Sequence, residues 1–261
     1  MLHTLLSQWQ PFLAVFVLLL FWVWESVAPF FARRERVRHA LRNIVISIIN
    51  GVVIAGVFAG VMVLVADYTK QHQIGLLHWL GVSGVAHLVV AFVLLDVWMY
   101  WWHRLNHVVT FLWRFHRMHH SDPEMDVTTA TRFHVGEIIL SSIIKLALIP
   151  LFSIPIEVLI LFDFVQLPII SFHHANIHLP RNLDNVLAWL IVTPFMHKVH
   201  HSRVKLETDS NFSSLLSVWD RLFGSFVQKE RCEEIKFGLD GFDEDTKQSV
   251  KGLLTTPLFR S

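Results

Sequence analysis

Apolar and polar positions divide this chain into long uncharged runs separated by short polar segments. Residues 44–66 (IVISIINGVVIAGVFAGVMVLVA) carry no ionisable side chain over 23 positions, and about 20 apolar residues suffice to cross a bilayer as a helix. An earlier run, residues 12–24 (FLAVFVLLLFWVW), extends to Phe31 if Glu25 and Pro29 are tolerated. It has no basic segment before it and no A-x-A site after it, which speaks against a cleaved signal peptide. A third run, residues 85–102, closes in the aromatic cluster VWMYWWH. Trp and Tyr collect at membrane interfaces, so this helix is expected to leave the lipid near Trp101 and Trp102. Residues 138–172 are predominantly apolar and are broken by Pro150 and Pro155. They read as two short helices, in and back, each about 17 residues long and at the low end for a full span. Glu157 and Asp163 are taken to mark where this hairpin meets water.

The runs set a topology by parity. The segment RRERVRHALR (33–42) is rich in Arg against a single Glu, which the positive-inside rule places in the cytosol. The second run then leads outward, the third returns, and the hairpin goes out and back. Residues 103–136 and everything after 173 fall on the cytosolic side. Three regions follow: residues 1–84 with the N-terminal transmembrane helices and connecting loops, a central region 85–230, and a charged cytosolic tail 231–261. That tail is too short to fold alone without staples and is expected to cover the region before it.

Composition agrees with a lipid setting. Apolar residues make up 53% and charged residues 16%, against about a quarter charged in ordinary soluble domains. The formal net charge is +1, which gives no footprint for nucleic acid. Cys232 is the single cysteine, so neither a disulfide framework nor a Cys-type metal site can be built.

The candidate chemistry lies in histidine. HRMHHSD (116–122) and HKVHHSR (197–203) share the pattern H-x-x-H-H-S. With 17 His in 261 residues, chance predicts about 0.07 matches to H-x-x-H-H, and counting matches is the fair test of a pattern. His103 and His107, four apart, share a helix face, as do His116, His119 and His120. His174 and His178 repeat the first spacing, and His197, His200 and His201 repeat the second. These ten are the candidate metal ligands. Ten imidazoles are too many for one ion, and two ions sharing them would hold about five each with a position left open. Such a set favours iron over tetrahedral zinc. The Glu of H-E-x-x-H is absent, since Arg104 and Arg117 follow His103 and His116, so metalloproteolysis loses its usual base. The expected fold is an all-α membrane protein of about four transmembrane or hairpin helices with a cytosolic, helical, His-rich di-metal domain.

Several side chains are candidates to support the ligands. Asp96 lies on the stripe of His103 and His107, one to two turns deeper, where a carboxylate can accept the second N–H of a bound imidazole. Asp209 and Asn211, just past the last triple, are weighed for the same role against capping. His173 points elsewhere on its helix and reads as a polar interfacial residue. His3, His39, His72, His78 and His87 read as solvated or packed.

The set H-x3-H, H-x2-H-H and a second H-x2-H-H resembles the sterol desaturase / fatty acid hydroxylase superfamily of membrane non-haem di-iron enzymes. DVWMYWWHRLNH (96–107), FHHANIHLP (172–180), VHHSRVKLETDSNF (199–212) and SVWDRLFGSF (217–226) look like further family segments. His134, in TRFHVGE, resembles a family position where His is followed by Pro, and Val135 stands there here; ligand and hydrogen-bond partner stay open for it. The resemblance covers roughly residues 90–230. It implies two ferrous ions, O2 as co-substrate and hydroxylation or desaturation of a lipid C–H bond. No dinucleotide, haem or Cys-cluster motif is present, so an external reductase or redox carrier is implied, and a bacterial inner membrane is the expected location. Metal transport or storage by His clusters, a bis-His haem protein and a dizinc hydrolase are the rival readings. A transporter would bury its ligands near the bilayer midplane, whereas these clusters lie at helix ends and beyond.

Overall fold

The computed structural model describes residues 2–32 and 35–259, with side chains from residue 8 onward. Arg33 and Arg34 of the basic segment and the side chain of His3 lie outside the described residues. The described chain is helical, with three isolated bridges and no strand. Its main elements are α1 (Leu2–Val27), α2 (Arg36–Val53), α3 (Ala59–Gln71), α4 (Leu76–Trp79), α5 (Gly84–Val108), α6 (Thr110–His120), α7 (Val135–Phe152), α8 (Ile156–His174), α9 (Arg181–Leu187) and α10 (Pro194–His200). A π-turn, Ile54–Phe58, joins α2 to α3 without interrupting the rod. Five segments are long and apolar enough to cross a membrane: Gln8–Val27, Arg36–Trp79, Gly84–Val108, Val135–Phe152 and Ile156–His174. The chain is a multi-pass, all-α membrane protein.

Two helix boundaries differ from the expected ones. The first helix stops at Val27 and does not run to Phe31. Glu25 is buried, and its carboxylate accepts the backbone N–H groups of Val127 and Asn176 while pairing with Arg36. The chain then turns, and Phe30 donates its N–H to Asn176 O. The second helix begins at Arg36, inside the basic segment and ahead of the uncharged run that starts at residue 44. The hairpin breaks between the two prolines, after Phe152, with Pro150 in the last turn of α7. Ser153 takes the left-handed conformation at φ 62°, and Pro155 caps α8.

The end of the bundle away from the histidine triples is tied by polar contacts around Ser153. Its hydroxyl donates to Ile74 O, and its carbonyl lies 2.7 Å from His87 Nε2. Gly75 permits the approach: at φ 102° with Pro150 O 2.2 Å from where a Cβ would sit, no other residue fits. Below it the apolar core joins Leu95, Leu148, Ile149, Leu159 and Phe162. At the opposite end the tail clamps α6. Leu253 packs on Met118 and Ile46, Gln248 donates to Ser121 O, and Arg117 donates to Thr256 O and Phe259 O.

Candidate metal centre

Four segments carry the histidines to one place. The last turns of α5 hold His103 and His107. The chain reverses at Val109, and α6 brings back His116, His119 and His120. The C-terminal turn of α8 supplies His174. Helix α10 supplies His197 and His200, followed by His201; its start is fixed by Thr193, which caps it and donates to Asp184. The rings fall into two groups, His103, His107, His116, His120 and His200 in one and His119, His174, His197 and His201 in the other. Within each, one ligand atom per residue lies within 4.8 Å of all the others. Neighbours on a helix point about 100° apart. The H-H pairs 119–120 and 200–201 therefore split, one ring to each group.

The ring tautomers are set from outside the cluster. His103 Nδ1 donates to Phe212 O at 2.8 Å, His174 Nδ1 to Ile170 O at 2.8 Å and His200 Nδ1 to Ser210 O at 2.6 Å. A carbonyl only accepts, so in each ring the proton sits on Nδ1 and Nε2 keeps its lone pair. His116 Nδ1 lies 2.9 Å from Glu137 Oε1. The Nε2 atoms of His103, His107, His116, His120, His200 and His201 are buried and have no hydrogen-bond partner. In the second group His174 Nε2 stands 3.2 Å from His119 Nε2 and 3.0 Å from His197 Nε2. No proton serves three such lone pairs at once. Two nitrogens bound at about 2.1 Å to one metal and at right angles would stand about 3.0 Å apart. The donor set therefore fits two imidazole-bound metal ions. Burial, with the neighbouring rings adding to it, holds His119, His120, His197 and His201 well below the usual imidazole range, and burial brings His200 to about 3. These rings are neutral near pH 7, the form that binds metal.

The supporting residues depart from expectation at several positions. His178 is not in either group. Helix α8 ends at His174, so the i, i+4 relation fails; His178 is exposed and its ring lies 6.0 Å from that of Phe30. Asp96 touches no histidine. It accepts Trp219 Nε1–H at 2.7 Å and Leu216 N–H at 3.3 Å, anchoring the W-D-R-L-F-G segment to α5. His134 caps α7, accepting Gly136 N–H on Nδ1, and its Nε2 lies 3.0 Å from Leu254 O. Asn211, at φ 53°, accepts Val227 N–H and donates to Met196 O and Val227 O; it shapes the loop and binds no ring. Asp209 does face a ring of the five-histidine group, with Oδ1 3.4 Å from His107 Nδ1. His39 is packed, as one of the two open readings had it, between Asp122 and Asp126.

One residue was missed. Glu137 pairs with His116, and it lies in the segment TRFHVGE, where a carboxylate one residue past a glycine gives no signal by spacing. His173 falls in neither group, but it is buried at 1% exposure rather than interfacial, with its ring 4.1 Å from that of His197.

Above the histidines a cavity of about 150 Å3 lies between α5, α7 and α8. Met99, Trp102, Ile138 and Ile170 line its apolar walls, and His103, His116, His119 and His197 reach its floor.

A family model for fatty acid hydroxylase matches residues 88–225, just over half of the chain. Alkylglycerol monooxygenase of Xenopus tropicalis is 33% identical over 150 residues, covering 58% of this chain and 32% of that protein. Ornithine lipid hydroxylase OlsE of Rhizobium tropici is 32% identical over 159 residues, covering 59% of this chain and 46% of its own. Alkylglycerol monooxygenase of Homo sapiens is 31% identical over 156 residues, covering 57% and 32% respectively. The chain thus spans from about a third to just under half the length of these relatives. No solved structure matches it. The match runs from the third apolar helix through both histidine triples to the W-D-R-L-F-G segment, and on it the chain belongs to the fatty acid hydroxylase family.

Proposed function

We propose that this protein is an O2-dependent di-iron oxidoreductase that hydroxylates, or desaturates, a C–H bond of a membrane lipid. The observation that carries the reading is the apolar cavity whose floor is made by rings from both histidine groups. A hydrolase needs a polar approach for water at its metals; here an alkyl segment would fill the space above them. Two bound irons would supply O2 activation: with two electrons from an external carrier and two protons, one oxygen atom enters the C–H bond and the other leaves as water, or, in desaturation, two hydrogens leave the lipid and both oxygen atoms become water. The chain's own residues do the rest. Phe212, Ser210 and Ile170 carbonyls hold three rings with Nε2 facing inward, and Glu137 orients His116. Met99, Trp102, Ile138 and Ile170 hold the chain of the lipid and exclude water.

The orientation proposed for the histidine layer is cytosolic. His39, within the basic segment, contacts Asp122 and Asp126 beside the second box, so that segment and the histidines lie on the same side. The positive-inside rule then faces both toward the cytosol, and a bacterial inner membrane is the proposed setting. The test is metal content per chain after anaerobic purification with iron supplied, followed by lipid oxidation on adding a reductant and O2. Close to two irons and an oxidised lipid are expected. Two tightly held zincs that iron does not replace would refute the reading.

A further inference from the structure

The five-histidine group comes close to solvent on the side away from the lipid cavity. Trp113, partly exposed on α6, lies with its ring centroid 5.1 Å from His107, 5.5 Å from His120 and 6.2 Å from His116, three members of that group. Outside it opens a second cavity of about 360 Å3, lined by His107, Thr110, Trp113, Lys205, Thr208 and Asp209 among others. It lies wholly beyond the five candidate spans apart from the last turn of α5. Among the described residues Trp113 makes ring contact with no member of the four-histidine group. Arg114, next to Trp113 and one turn from Thr110, is exposed and forms no ion pair among the described residues. The side chain of Lys205 is 85% exposed and pairs with Asp209 at 2.7 Å.

We infer that the cavity beside Trp113 is where a one-electron carrier protein docks, and that electrons pass through the Trp113 ring to the five-histidine group. This rests on the iron reading above and adds the route. Each turnover needs two electrons, so the carrier visits twice. Electron tunnelling weakens steeply with distance, and a π-system in contact with three ligand rings shortens the gap without itself being oxidised or reduced. The exposed Arg114 cation next to Trp113 suits a carrier with an acidic residue beside its cofactor, and such steering is lost as salt rises. The first cavity lies apart from this one, with its apolar walls on α5, α7 and α8, three of the candidate spans.

The single cysteine makes the test clean. Cys232 is 2% exposed, so a thiol-reactive ruthenium photosensitiser labels only an introduced surface cysteine. One variant carries it at Leu206→Cys, 86% exposed and beside the cavity. A control carries it at Glu244→Cys, exposed and beside Asp245, which pairs with α2. Flash excitation of the iron-loaded ferric protein reads the rate of metal reduction by absorbance, independently of lipid turnover. Reduction is expected to be several-fold faster from position 206. Trp113→Leu should slow that route several-fold, and Trp113→Phe, which keeps a ring, should recover most of it, with iron per chain unchanged. Equal rates from the two labels, or a rate from position 206 that ignores Trp113→Leu, would overturn the route. The two-label comparison stands even if Trp113→Leu loses metal. No reduction from either label would overturn the iron reading, and the route with it.

Discussion

Glu137 supplies the sharpest test of how the centre is held. Its Oε1 sits 2.9 Å from His116 Nδ1, and both side chains are buried. Replacing it by Ala removes the acceptor that keeps the His116 proton on Nδ1, and the ring is free to turn or to change tautomer. Partners of this kind are worth 10- to 100-fold in metal affinity when removed, which is about 1.4–2.7 kcal/mol. The loss should be confined to one site, because His116 belongs to the five-histidine group and none of His119, His174, His197 or His201 touches Glu137. Glu137→Gln keeps an acceptor oxygen and should recover most of the affinity. The assay is a competitive titration of the metal-free protein with cobalt(II), whose absorbance reports each site. One weakened site beside one at wild-type affinity is expected for Glu137→Ala. Wild-type affinity at both sites, or weakening of the four-histidine site, would refute the reasoning.

Four further outcomes are expected. Asp220 accepts the N–H groups of Phe212 and Ser213 and the Ser225 hydroxyl; Asp220→Ala strands buried donors and should cost about 3 kcal/mol, read as a lower Tm in detergent together with weaker metal at the His103 site. Gly75→Ala meets Pro150 O and an unfavourable φ of 102°, and should cost about 1–3 kcal/mol for the backbone alone while the protein that folds keeps its metal; an unchanged Tm would contradict the packing described. His178→Ala should retain two metals per chain and His197→Ala should lose one, so loss of metal in His178→Ala would restore it as a ligand. In the metal-free protein the folded value of about 3 for His200 lies below the ordinary 6.5. The unfolded chain then binds more protons between those limits, and stability falls as pH drops from about 6.5 toward 3, by about 1.4 kcal/mol per unit for this ring alone. A Tm that is flat across that window would refute it.

The helices were legible because lipid imposes a blunt rule: a spanning segment must be long and apolar. What periodicity could not show is where a helix stops. The first run stays apolar through Phe31, yet it ends at Val27 because Glu25 is drawn inward by N–H groups of Val127 and Asn176, residues more than 100 positions away. The same holds at Ser153, whose turn depends on Ile74 and His87. Such boundaries are tertiary decisions, and local composition carries no trace of them.

The site divides along the same line. Nine of the ten rings expected as ligands converge, because each triple uses the i, i+3, i+4 face of one helix and that geometry is local. His178 does not converge, since its spacing spans a helix end. The carboxylates were harder. Asp96 has the stripe position of a histidine partner but is taken by Trp219, whereas Glu137, with no spacing relation to any box, reaches His116 from another helix. The W-D-R-L-F-G segment shows why a motif can be recognised well before its physics is understood. Trp219 ties it to α5 through Asp96, and Asp220 holds the loop whose Phe212 carbonyl sets the tautomer of His103. The segment binds no metal itself, yet it transmits the position of a membrane helix to a ligand ring. Its substitution should therefore shift metal affinity and bundle stability together, in contrast to Glu137, where only the metal is at stake.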